Sequence, residues 1–102
     1  MKTVYALVWR RSVPAAEFER RIPEIMAWLR DLRRRGRLRG CGGAGGAEWN
    51  GGVTLIEAAS ADEAIAEAAA SPQASMGATE VVQWEVYFAD LVVEKDMGTG
   101  TR

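Results

Sequence analysis

The chain has no histidine. That removes the one side chain whose unperturbed pKa lies in the physiological range, and the commonest metal ligand. A general base here must be a carboxylate, tyrosine, cysteine or lysine shifted by its surroundings. The single cysteine, Cys41, excludes an intramolecular disulfide and points to a reducing cytoplasm. Together with the missing histidines it also excludes the usual structural zinc sites. No acidic cluster argues for a carboxylate-only magnesium site, so no metal or other cofactor is expected. No apolar run approaches the roughly 20 residues of a membrane span, and the first residues lack the charged segment and long apolar core of a signal peptide. An excess of either charge is missing too. Thirteen basic against fourteen acidic side chains leave a net charge of -1, and such a field favours neither nucleic acid nor an acidic membrane.

What is present is an ordinary globular balance, 48% apolar and 26% charged over 102 residues, which suits one domain with one core. That domain is expected over residues 1–94, followed by a polar, glycine-containing tail over 95–102 that frays.

The stretch from Pro14 to Arg35 organises the rest. Phe18, Ile22, Ile25, Leu29 and Leu32 recur at helical spacing and form one apolar stripe, with Trp28 at its edge. Pro23 lies inside this stretch and should kink or restart the helix. Glu17 with Arg21 and Asp31 with Arg35 stand four apart as acid-before-base pairs, and Gly36 is the expected stop. Thr3 to Arg11 (TVYALVWRR) reads as a central strand, with Tyr5, Leu7, Trp9 and Arg11 on one face and Val4, Ala6, Val8 and Arg10 on the other. Arg37 to Cys41 suits a short second strand. Gly40 to Gly52 holds seven glycines and reads as a flexible loop around Trp49. Val53 to Ala58 is a third strand. Ser60-Ala61-Asp62-Glu63 fits a capping box opening an alanine-rich helix to about Ala70. Ser71-Pro72 restarts a turn that ends at Gly77. Glu80 to Ala89 reads as the last strand, with Val82, Trp84, Val86 and Phe88 sharing a face.

The order β-α-β-β-α-β is ferredoxin-like: an α+β domain with a four-stranded antiparallel sheet and two helices on one face. The uncovered face is too apolar for water, so a homodimer packing sheet on sheet is expected.

Several features invite functional readings. The run Gly40 to Gly46 lacks the Lys-Ser/Thr ending of a phosphate loop and precedes a strand rather than a helix. A hairpin connection is the plain reading, and a lid closed by Trp49 is the functional one. Arginines at 30, 33, 34, 35, 37 and 39 form a basic patch. The third strand, however, has no aromatics for base stacking, so a solvated helix end is preferred to RNA. Cys41 reads as a packed small residue rather than a nucleophile. Tyr5, Trp9, Trp84 and Tyr87 on the strands could wall a cavity for a flat apolar molecule. Arg11, Glu57 and Glu85 are its candidate polar groups, and Trp49 its closing aromatic.

Arg35-Gly36-Arg37-Leu38, Cys41-Gly42, Gly52-Val53 to Glu57-Ala58 and Ser71-Pro72 to Gly77 resemble the YCII-related family of the dimeric α/β-barrel superfamily. That superfamily also includes muconolactone isomerases and small cofactor-free monooxygenases. The similarity runs from about Thr3 to Phe88. It implies the fold, a dimer, and a pocket between sheet and helices or within the barrel. The family signature is a histidine two residues after a proline on the first helix, paired with an aspartate directly before a later proline. In one branch the pair supports removal of chloride from a chlorinated hydroquinone. Here those positions are Ile25 and Ser71, and neither substitute moves a proton at neutral pH. The glycine-rich stretch from Gly40 to Gly52 is a second departure.

The expected function is therefore binding of a small aromatic or polyketide-like molecule by a cytoplasmic dimer without the family His-Asp pair. Chemistry there would be cofactor-free elimination (a lyase), isomerisation, cyclisation or oxygenation. The alternative is a non-catalytic, diverged binding or accessory subunit.

Overall fold

A run of β-branched and aromatic residues forms the first strand, β1 (Thr3–Arg11). The structure, a computed structural model, describes residues 3–43 and 50–88. Trp49 with the rest of 44–49, Ala89 and the tail 95–102 lie outside the described residues. The two ends of the stretch expected as a flexible loop, Gly40 to Gly43 and Gly51 to Gly52, are instead paired strand.

The long helical stretch is two helices, α1 (Ala15–Arg20) and α2 (Ile22–Arg34), with the break at Arg21. Pro23 sits in the first turn of α2, where its missing N–H costs nothing, so the chain restarts there as expected. Across the break the apolar stripe holds: Phe18, Ile25 and Leu32 are buried, and Ile22 and Leu29 pack beside them. The expected Glu17–Arg21 pair does not form. Arg21 stands at the junction, out of register with α1, and binds Glu24 through Nη2 at 2.9 Å and the Ser75 hydroxyl at 3.0 Å. Asp31 and Arg35 do pair, at 2.8 Å. Gly36 ends the helix at φ 73°, a left-handed conformation that favours glycine.

Three strands follow: β2 (Leu38–Gly43), β3 (Gly51–Ala58) and, after helix α3 (Ala61–Ala70) and a 3₁₀ turn at Pro72–Met76, β4 (Gly77–Trp84). The Ser60 hydroxyl caps α3 by accepting from the Glu63 N–H at 3.2 Å. The sheet order is β2-β3-β1-β4 with every neighbour antiparallel, the ferredoxin-like order. The last strand starts three residues earlier than the sequence suggests and ends at Trp84 rather than Ala89. The cause is its partner. β4 pairs only with β1, running from Arg11↔Gly77 to Val4↔Trp84, and β1 begins at Thr3.

The helices cover one face of the sheet. One core cluster joins Tyr5, Leu7, Ile56 and Ala58 to Leu32 of α2 and Ala64 and Ala68 of α3. A second joins Trp9 to Phe18, Ile25 and Met76. On the opposite face, Val53, Val82 and Trp84 are 39%, 37% and 45% exposed, a contiguous apolar surface beside Val4 and Val8. No helix among the described residues is long and apolar enough to cross a membrane.

Candidate functional site

Strand alternation places Leu7 and Trp9 of β1, Thr54 of β3 and Thr79 of β4 on the helix-covered face, because Leu7 pairs with Thr54 and Trp9 with Thr79. Trp28 of α2, Ala68 of α3 and Ser71 and Gln73 of the following turn meet them from the other layer. These eight residues line a cavity at the seam between the two core clusters. Its atom-free space is about 200 Å³ counting the open mouth, yet the centre of a water molecule can occupy only about 10 Å³ of it.

The lining is aromatic and hydroxylic, with no ionisable side chain. Thr54 and Ser71 are the two buried polar residues among those described. The Ser71 hydroxyl accepts from the Gln73 N–H at 3.1 Å. The two indoles differ. Trp9 stacks on Phe18, with ring centroids 5.2 Å apart, and donates its N–H to the Gln73 carbonyl at 3.0 Å. The N–H of Trp28 is buried and has no acceptor among the described residues. A buried donor without a partner is rare enough to require a reason.

The residues singled out in the sequence do not share one site. Trp9 lines the cavity, and Tyr5 is buried in the core next to it. Arg11 lies on the same face at the end of β1 and donates to the Val13 carbonyl. Glu57 is on the opposite face of the sheet, paired with Arg39 at 2.8 Å. Trp84 is also on that face, and Glu85 and Tyr87 are exposed beyond β4, bonded to each other at 3.0 Å. Trp49 is outside the described residues. Of the two positions matched to the family pair, Ser71 lines the cavity while Ile25 is 5% exposed within the Trp9–Phe18–Met76 cluster. Thr54, Thr79 and Trp28 were not legible as site residues. For Trp28 one signal existed: it stands one helical turn after Ile25, at the edge of the same stripe.

The arginine patch is largely neutralised within the fold. Arg34 and Arg35 pair with Asp31, Arg35 and Arg37 with Glu67, Arg37 with Glu63 and Arg39 with Glu57. The Arg35 guanidinium bonded to Glu67 holds that carboxyl below its ordinary value, against the opposing effect of burial. This network ties the end of α2 and the start of β2 to α3, on residues separate from the cavity lining.

A four-stranded antiparallel sheet in ferredoxin-like order, with its helices on one face, defines an α+β domain. Comparison with protein families then makes the assignment specific: the YCII-related domain profile matches residues 4–85, and the chain belongs to that family. Among solved structures, the 5-chloro-2-hydroxyhydroquinone dehydrochlorinase TftG from Burkholderia phenoliruptrix AC1100, in complex with 2,5-dihydroxybenzoquinone, is similar. The match has 24% identity and a TM-score of 0.60, and covers 79% of this chain and 93% of that one. At this identity the likeness concerns the fold. Comparison with curated proteins gives no match.

Proposed function

We propose that this chain binds a small aromatic, oxygen-bearing molecule in the seam between the sheet and the helices. The observation that supports the reading is the lining of the seam: two indole walls, three hydroxyl residues, and Ser71 at the position matched to the family aspartate, around a space that holds one water-sized group and would have to widen for a ring. Aromatic walls with a few fixed polar groups suit a flat ligand. The likeness to a protein solved with a dihydroxybenzoquinone supports the same ligand class.

Any reaction on that ligand (elimination, isomerisation, cyclisation or oxygenation) would draw on positioning rather than on a His-Asp pair. The rival, a non-catalytic binding or accessory subunit, has its own support. Ile25 is packed among Trp9, Phe18 and Met76, where no proton can be exchanged. We further propose that a second copy covers the apolar sheet face carrying Val53, Val82 and Trp84.

Thermal unfolding with hydroquinone and 2,5-dihydroxybenzoquinone tests the binding reading. A ligand held only by the folded state raises the midpoint as its concentration passes Kd. Midpoints unmoved at millimolar concentration, with no retained molecule in native mass spectra, would remove it. Turnover of a bound probe would separate enzyme from binding subunit.

A further inference from the structure

We propose that Arg10 and Glu80 pair between two copies of this chain, Arg10 of each copy meeting Glu80 of the other. The inference rests on the reading above that a second copy covers the open sheet face, and goes further by naming the groups that fit the two copies together.

Strand register sets Arg10, Glu57 and Glu80 on the sheet face away from the helices, since Val4 pairs with Glu57 and Val8 with Glu80. Glu57 is already paired with Arg39 at 2.8 Å, within the chain. Arg10 and Glu80 are both exposed, and neither has a hydrogen bond or ion pair among the described residues. They border the apolar patch. Glu80 stands directly opposite Val8 and two residues before Val82, and Arg10 follows Val8 by two. A copy that covers Val8, Val53, Val82 and Trp84 therefore brings both charges to its contact. A charge drawn from water there opposes association unless an opposite charge meets it. A two-fold contact is self-complementary: where one residue of the first copy touches another of the second, the reverse contact forms as well. One acid and one base left over on the same face satisfy that rule, and two such contacts leave no charge unmatched. Facing sheets stand about 10 Å apart, a gap that arginine and glutamate side chains reaching from opposite sides can close. A different protein would have to supply a base and an acid at the same spacing, whereas a second copy supplies them by symmetry.

Sedimentation equilibrium at low salt on Arg10→Glu and Glu80→Arg tests this. The first variant sets acid against acid at both contacts and the second base against base, so each should weaken the dimer roughly a hundredfold. Mixed in equal amounts, the two variants should associate about as tightly as wild type, because one carries acids and the other bases at both positions. Within either variant the two neighbours carry like charge, so a contact inside one chain cannot give this recovery. Single variants that dimerise like wild type, or a mixture that stays monomeric, overturn the pairing while leaving the covered face in place. A monomeric wild type overturns both. If either single variant does not fold, the chain carrying both substitutions decides. It should dimerise with itself and form no mixed dimer with ¹⁵N-labelled wild type in native mass spectra, and free exchange with wild type overturns the proposal.

Discussion

Gly77 makes room for Trp9: a Cβ built at Gly77 would stand 2.5 Å from the indole nitrogen of Trp9 and 2.1 Å from the carbonyl oxygen of Arg10. The backbone oxygen cannot yield, because β1 and β4 are paired at Arg11↔Gly77. The same contact lets the Trp9 indole reach the Gln73 carbonyl and stack on Phe18, and so holds one wall of the cavity.

Gly77→Ala should therefore destabilise the fold by about 3 kcal/mol, an overpacking cost paid partly in β1–β4 pairing. Gly42→Ala is the control. Its Cβ would meet nothing within 4 Å, and it should change stability by no more than about 0.5 kcal/mol. Urea unfolding measures both, and equal midpoints for the two variants would contradict the steric account.

Glu67 is the most enclosed acid of the ion network, with its side chain 12% exposed between Arg35 at 2.8 Å and Arg37 at 2.9 Å. The Arg35 hydrogen bond lowers its pKa below the ordinary 4.5. A depressed carboxyl gives stability that is fully present above its unfolded value and is lost as the pH falls through the folded one. Glu67→Gln should cost about 1–2 kcal/mol at pH 7, between an exposed pair and a buried one. That gap should narrow steadily below pH 4.5. A gap of unchanged size at pH 3 would assign the loss to packing instead.

Restoring histidine at Ile25 should not restore chemistry. The site is 5% exposed and lined by Trp9, Phe18 and Met76, so an imidazole there is desolvated and its pKa pushed down. Ile25→His should cost about 2–4 kcal/mol through lost packing and an unpaired polar ring. With its folded pKa below its unfolded one, the unfolded state binds more protons, so the variant should be more stable at pH 8 than at pH 5.5 relative to wild type. Stability measured across that range checks the sign, and a flat difference would mean that the ring reaches solvent.

The apolar sheet face gives a prediction on assembly. Trp84 is 45% exposed at the end of β4, beside Val82 at 37%. Wild type should scatter light as a dimer at micromolar concentration, and Trp84→Glu as a monomer, because a charge would be buried unpaired at the interface. A wild-type monomer at that concentration would remove the proposed partner.

Local chemistry wrote most of the secondary structure into the sequence. The stripe from Phe18 to Leu32, the proline restart, the left-handed Gly36 and the Ser60 cap are decided by neighbours a few residues apart, and each is legible as a pattern. So is the ferredoxin-like order, since it follows from the alternation of elements. The tertiary structure decided what depends on register. A period of two sorts a strand's residues into faces without saying which face the helices cover. For this reason Trp9 and Trp84, both read as pocket walls, lie on opposite sides of the sheet, and Glu57 points away from the cavity to Arg39. Pairing with β1 set both ends of β4. The seam between the two core clusters, lined by Trp28, exists only once α2 is laid beside Thr54 and Ser71, residues that helix α3 separates in the chain.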